Sequence, residues 1–261
     1  MTEVIAMQVI DEQPVELEID FAGEYVSGAD SGAYDKGYAD GKQAEYDAFW
    51  DSFQENGNRT TYSQAFGGFN DETFAPKYDI VIGPQNSGRY MFNYSKITDL
   101  KGALEKCGVV LDLSQTTETH SLLYGMPENT RTPKIDFGHL GVNHYQIFAA
   151  SPKLVEIEEY VVNENARFSQ VFNGCTSLTT IKMSGIISNS IDFSQSTKLS
   201  LESAISVITH LKDYSGDTTN AYTKTLTFSS ATIALLNAEG ATSPHGTTWL
   251  EYISELGWNA T

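Results

Sequence analysis

Histidine is the side chain that most often binds metals or moves protons near neutral pH, and this chain has five of them. His139 and His144 lie five residues apart, which is not the four-residue spacing of two ligands on one helix face. No cysteine or acidic ligand pattern accompanies them. His120, His210 and His245 are isolated in the sequence. We therefore predict that the protein has no metal site and no cofactor.

Motifs of enzymatic catalysis are missing from the sequence. It contains no Gly-x-Ser-x-Gly elbow, no phosphate-binding glycine loop and no His-Glu-x-x-His. Neighbouring carboxylates do occur, at Glu156 and Glu158 and at Asp213 and Asp217. A glycosidase needs two carboxylates at a defined separation across a cleft, and these pairs are predicted to lie on solvated edges. We predict a protein that is not an enzyme, with a carbohydrate-active enzyme as the least favoured alternative.

The charge and the cysteines exclude several classes of protein. The net charge of −18 argues against nucleic acid and anionic membranes as partners. No apolar run approaches the length of a membrane-spanning helix. Residues 1–10 lack the basic residues of a signal peptide, so export is expected by another route, such as a virus particle released by lysis. Cys107 and Cys175 are too few for a disulfide framework and are predicted to be free thiols.

An apolar repeat organises the middle of the chain. Its clearest copy begins at Phe172, and its phenylalanine lies 24 residues after Phe148 and 21 before Phe193. These intervals fit the period of roughly 20–29 residues found in leucine-rich solenoids. The predicted core positions of the repeat are Phe148, Leu154, Ile157, Phe172, Leu178, Ile181, Phe193 and Leu199.

The repeat also carries a family resemblance. Phe-x-x-Cys-x-Ser-Leu-x-x-Ile at 172–181 resembles the repeat of BspA-type irregular leucine-rich repeat proteins, which occur on bacterial surfaces and in phages. Segments 34–42 and 256–259 resemble parts of phage and prophage proteins. The predicted fold is α+β. It comprises an N-terminal hairpin and helix over 1–57, an irregular leucine-rich-repeat solenoid over 58–200, and an α/β cap over 201–261.

Local patterns predict individual elements within this frame. Apolar spacing, glycines and prolines predict strands near 78–82, 109–113, 135–137 and 222–228, and helices near 100–107, 201–211, 231–238 and 249–256.

Residues 1–57 are predicted to attach the protein to a partner. This segment holds two strand-forming runs and an acidic excess, with fourteen acids against two lysines in residues 1–56. A helical period follows from about residue 32, and it places aromatic residues on one face beside a stripe of small residues. The predicted attachment face comprises Tyr34, Tyr38, Tyr46, Phe49, Trp50, Phe53, Gly37 and Gly41. Alternatively, the rest of the chain covers this face.

Together these features favour a non-enzymatic phage virion protein, associated with the tail, that uses its repeat surface for host or protein recognition. The alternative is a bacterial cell-surface adhesin. The expected partners are virion components, further copies of the chain in a homo-oligomer, and a host-surface protein or glycan. Nucleic acid and membrane insertion are not expected.

The attachment hypothesis predicts the behaviour of a shortened chain. A chain beginning at Asn58 should stay folded and run as a monomer in size-exclusion chromatography, while the full chain runs larger, because close helix packing at Gly37 and Gly41 drives association. Two monomeric chains that both fail to bind the assembled particle contradict the hypothesis.

Overall fold

The computed structural model describes residues 66, 69–72, 74–82, 89–118, 120–238 and 242–261. The predicted attachment face lies outside these residues. The described helices are α1 (Leu100–Cys107), α2 (Leu201–Ile208), α3 (Ser230–Leu236) and α4 (Trp249–Glu255). The described strands are β1 (Ile80–Val81), β2 (Leu111–Asp112), β3 (Arg131–Thr132), β4 (Ile135–Asp136), β5 (Asn143–Tyr145), β6 (Glu156–Val162), β7 (Arg167–Ser169), β8 (Thr180–Gly185), β9 (Ile191–Phe193), β10 (Thr225–Phe228) and β11 (Asn259–Ala260).

The named strands pair in parallel and form several small sheets. β1 pairs with β2, and β5 pairs with β7. β6 pairs with β3, β4 and β8, whereas β9, β10 and β11 form a separate three-stranded sheet. Glu156 pairs with Thr180, and Arg131 pairs with Glu156. Segments about 25 residues apart therefore lie side by side.

The prediction of an α+β leucine-rich-repeat solenoid is wrong. The described chain is a mixed α/β structure of several small parallel sheets and four helices. The predicted boundary at residue 200 places β9 in the solenoid and β10 in a separate cap, yet Leu226 and Phe228 of β10 pair with Ile191 and Phe193 of β9. The repeat period identified segments that lie side by side, but a period carries no information on which strands share hydrogen bonds in one sheet.

A column of buried apolar side chains connects these sheets. Backbone N–H groups of Phe92, Leu123 and Phe148 donate to the carbonyls of Leu122, Ile147 and Val171, which aligns successive column members. The rings of Phe148 and Phe172 stack at 5.6 Å, those of Phe172 and Phe193 at 4.3 Å, and those of Phe193 and Phe228 at 5.9 Å. This phenylalanine column consists of Phe66, Phe92, Leu123, Phe148, Phe172, Phe193 and Phe228.

The other predicted core positions are buried as well. All of them are buried, with at most 2% of their surface exposed: Leu154, Ile157, Leu178, Ile181 and Leu199. Tyr160 of β6 is also fully buried, and its ring makes edge-to-face contacts with Phe148 and Phe172. The core is therefore continuous across the parallel strands of the middle sheet.

The helices begin where the sequence supplies capping side chains. Asp99 caps α1 by accepting a hydrogen bond from the backbone N–H of Gly102, and Ser200 caps α2 in the same way. Thr248 and Glu251 form a reciprocal capping box at the start of α4. The helices predicted near 100–107 and 249–256 are confirmed by α1 and α4.

Replacing Phe172 by alanine should destabilise the protein by about 3–5 kcal/mol, because its ring has stacked neighbours on both sides and the cavity cannot collapse. Chemical denaturation measures this change. Phe172→Leu keeps most of the volume and should cost roughly 1–2 kcal/mol. Equal losses for the two variants contradict the stacked column.

Candidate binding surface

Four tight turns stack on one another along the phenylalanine column. They span residues 89–94, 120–125, 145–150 and 169–174, and each contains two left-handed backbone positions four residues apart. The backbone N–H of Ser121 donates to the carbonyl of Tyr145 at 2.8 Å, and the N–H of Gln146 donates to the carbonyl of Ser169 at 2.9 Å. The turns therefore form a hydrogen-bonded stack rather than independent loops. The paired left-handed positions are Tyr90 and Tyr94, Ser121 and Gly125, Gln146 and Ala150, and Gln170 and Gly174.

The first three turns carry a set of five aromatic side chains that reach the protein surface, four of them in two ring pairs. Tyr94 is 56% exposed, and the other members are half-buried. The rings of Tyr94 and Tyr124 meet edge to face at 6.3 Å, and those of His120 and Tyr145 lie 5.3 Å apart at 37°. We call this cluster the aromatic turn surface; it consists of Tyr90, Tyr94, His120, Tyr124 and Tyr145.

Amide side chains continue the aromatic turn surface onto the third and fourth turns. The Gln146 Nε2 atom donates to the Gln170 Oε1 atom at 2.8 Å. Gln170 is exposed, as is Asn173 in the same turn. The bond between the two glutamines uses one donor and one acceptor, which leaves the Gln146 oxygen and the Gln170 nitrogen with further hydrogen-bonding capacity. This side of the stack thus presents ring edges, hydroxyls and amides.

Two tyrosines of this surface have backbone conformations that tyrosine rarely adopts. The φ angles of Tyr90 and Tyr94 are 57° and 60°. A bulky residue in the left-handed region is an outlier and costs on the order of 1 kcal/mol or more. Glycine occupies the position of Tyr94 in the second and fourth turns, as Gly125 and Gly174. A Cβ on Gly125 would lie 3.3 Å from the Tyr94 ring, so this glycine makes room for it.

A network of charged side chains lies on the sheet that contains β6. Lys134 and Lys182 both contact Glu159, at 3.3 and 3.4 Å. The hydrogen bond from Ser184, with help from Lys134, holds the pKa of Glu159 below its usual range. Exposed pairs of this kind contribute roughly 0–1 kcal/mol each. Lys182 of β8 and Glu159 of β6 lie on neighbouring strands, and Lys134 lies between β3 and β4, which both pair with β6. We therefore assign these pairs to the stabilisation of the sheet.

The candidate acids of the sequence are each engaged by a nearby group. Glu156 and Glu158 contact the same amine, that of Lys101, at 2.9 and 3.7 Å. The pKa values of Asp213 and Asp217 are both lowered, chiefly by hydrogen bonds from the side chains of Ser215 and Asn220. Ionised carboxylates that act as hydrogen-bond acceptors in turns are poor general acids.

A shallow hollow beside α4 is lined by Tyr222, Thr247, Leu250, Glu251, Ser254 and Glu255. Its acids are also engaged. Glu251 accepts hydrogen bonds from Thr248 in the capping box, and Glu255 lies 2.8 Å from His245 Nδ1.

The histidines are used separately. His144 is buried, and its Nδ1 atom shares a 2.5 Å hydrogen bond with the Tyr160 hydroxyl. Burial lowers the pKa of His144 to about 4, because the charged form cannot be solvated there. His139 instead contacts the Thr116 carbonyl through Nε2 at 2.8 Å. Among the described residues, no group of three His, Cys, Asp or Glu side chains is arranged to hold a metal.

The buried cysteine has a packing role. The Cys175 Sγ atom lies 3.1 Å from the carbonyl oxygen of Phe148. Ser151 occupies the equivalent position one turn earlier, and its hydroxyl donates to the carbonyl of Leu123. Burial raises the pKa of Cys175 to about 12, so it remains a thiol. Cys107 lies at the end of α1 and is partly exposed.

Comparison of the chain with protein-family models, with curated proteins and with solved structures finds no match. Within the described ranges, none of the helices has the length and apolar character needed to cross a membrane. The aromatic turn surface is therefore the feature of the described residues that bears most on function. The sequence patterns do not predict this surface, although Tyr90, Tyr94 and Tyr124 each lie within two residues of a column member.

The buried histidine predicts a pH dependence of stability. Between its folded pKa of about 4 and its usual value of 6.5, the unfolded chain binds more protons at His144 than the folded chain does. Stability should therefore rise with pH across this window, by about 3 kcal/mol in total, and show no further contribution from His144 above it. Urea denaturation at a series of pH values measures the slope.

The matched control for this slope is His144→Gln, which has no titrating group. Its absolute stability will differ, but its unfolding free energy should change less with pH between 4 and 6.5 than that of the original chain. Parallel pH profiles for the two chains contradict the assignment.

Proposed function

We propose that this chain is a non-enzymatic recognition protein, a tail-associated component of a phage virion, that binds the host surface through the aromatic turn surface. The observation that carries the proposal is the exposed aromatic and amide cluster on stacked turns. Tyrosine is enriched in binding surfaces because it offers a large, stiff contact area and a hydroxyl at low cost in side-chain entropy.

The rigidity of the turns supports a binding role. Each turn donates backbone hydrogen bonds to the next, and the phenylalanine column fixes the turns from beneath. Side chains held on such a scaffold lose little conformational freedom when they bind, and this raises affinity. The backbone strain at Tyr90 and Tyr94 supports the same role, since strained residues cluster at functional sites.

The non-enzymatic part of the proposal is supported by how the candidate catalytic groups are engaged. The candidate carboxylates among the described residues accept hydrogen bonds or pair with lysines, His144 is buried, and Cys175 is a packed thiol. The virion part is supported by the phage-like segments of the sequence and by its resemblance to a repeat found in phage-encoded proteins.

The binding role is tested by measuring attachment of the fluorescently labelled full chain to cells of the bacterium that carries the gene and of related strains. The original chain should bind, and Tyr94→Gly should lose most of the binding. Glycine relaxes the left-handed backbone, which offsets the lost ring contacts, so the stability of this variant should stay within about 1 kcal/mol.

Tyr222→Gly is the matched control. Tyr222 also has a left-handed backbone, with φ of 59°, and is 59% exposed, but it lies outside the stacked turns. This variant should bind cells normally. Equal loss in both variants, or binding by neither the original chain nor the control, rejects the proposed function.

The virion location has its own test. Mass spectrometry of purified particles, released after induction of the strain that carries the gene, should detect the chain at a fixed ratio to other tail proteins. Its absence from particles, together with its presence on uninfected cells, supports the adhesin alternative instead.

A further inference from the structure

We infer that the ligand of the aromatic turn surface is a neutral polysaccharide, and that its chain runs along the direction in which the turns stack, with about one sugar ring per turn. This inference rests on the proposed function and names the chemical class of its ligand. It is carried by the charge, the hydrogen-bonding groups and the spacing of the four turns.

The four turns are almost uncharged in a strongly acidic protein. The whole chain has 34 acidic and 16 basic residues, yet the four turns carry a single charged side chain, Arg89, which lies 3.6 Å from Glu118. An anionic polymer would need a basic surface to offset the net charge of −18. A basic protein would in turn be drawn to the acidic surfaces rather than to this neutral one.

The groups that the turns present suit a polyhydroxylated ligand. Phenol, imidazole and amide side chains donate and accept hydrogen bonds without charge, as sugar hydroxyls require. Because the Tyr94 and Tyr124 rings meet edge to face, neither ring covers both faces of the other. More than half of the Tyr94 surface is exposed. The apolar C–H faces of a sugar ring can pack against such rings. A protein partner would instead require about 800 Å² of surface on each side of the interface, much of it apolar at its centre.

The spacing of the turns matches a repeating polymer. Parallel strands lie about 4.8 Å apart, and the turns that join this ladder repeat at the same spacing. The His120 and Tyr145 rings are 5.3 Å apart along it. This distance is close to the length of one sugar unit in an extended polysaccharide, so each turn can contact a successive unit.

The first experiment treats cell envelopes of the bound strain before adding the full chain. Periodate, which cleaves sugar vicinal diols, should abolish binding, whereas proteinase treatment should leave it unchanged. Binding that survives periodate and is lost after proteinase overturns the polysaccharide inference but leaves the proposed recognition function standing. Absence of binding to untreated envelopes rejects the proposed function itself.

The second experiment is competition by oligosaccharides released from the same envelopes, separated into neutral and anionic fractions and then by size. The neutral fraction should compete, with potency that rises with length and levels off at about four sugar units, one for each stacked turn. Competition by the anionic fraction alone, or potency that does not depend on length, overturns the inference.

Variants link this competition to the proposed surface. Tyr94→Gly and Gln170→Ala should each weaken binding of the longest neutral fraction roughly tenfold, as expected for residues that contact the ligand directly. Tyr222→Gly should bind with unchanged affinity. Melting temperatures show whether each variant is folded, and a folded Tyr94→Gly variant with unchanged affinity overturns the inference.

Discussion

The stacking of apolar rings between parallel strands is the interaction on which the rest of the structure depends. Phe148, Phe172 and Phe193 each lie against the next member of the phenylalanine column, and Phe193 and Phe228 are paired residues of the C-terminal sheet. The strands themselves are only two to seven residues long. Such short ladders provide few hydrogen bonds each, so the side-chain column must hold successive sheets in register.

The column also determines the shape of the turns and hence the surface that they present. In each of the four turns the column residue lies two positions after one left-handed residue and two positions before another, as Phe92 does between Tyr90 and Tyr94. The chain must turn sharply on both sides to direct the column side chain inward. The residues at these two positions flank the column side chain and recur once per turn, and one of them is exposed in the first, third and fourth turns. The packing of the core thus generates a periodic surface.

The sequence predicted local elements well and their grouping poorly. The helix predicted near 100–107 is α1, because an aspartate cap, apolar spacing and Gly108 at its end are all local signals. The grouping of strands into sheets depends on long-range pairing, such as that of β9 with β10, and the repeat period does not encode it. The aromatic turn surface was missed for a related reason. Glycine usually indicates a left-handed turn position, but tyrosine occupies two of these positions here.

Two sets of aligned residues in the turns show how fold and function can be separated. Ser151 and Cys175 occupy equivalent buried positions, and each directs a small polar group at a carbonyl of the preceding turn. The fold alone explains both of these residues. Tyr94 and Gly125 occupy equivalent left-handed positions in successive turns, where glycine relaxes the backbone and tyrosine strains it. The Tyr94 ring meets Tyr124 edge to face, and more than half of its surface is exposed. Under the proposed function, the exposed part of this strained residue contacts the ligand.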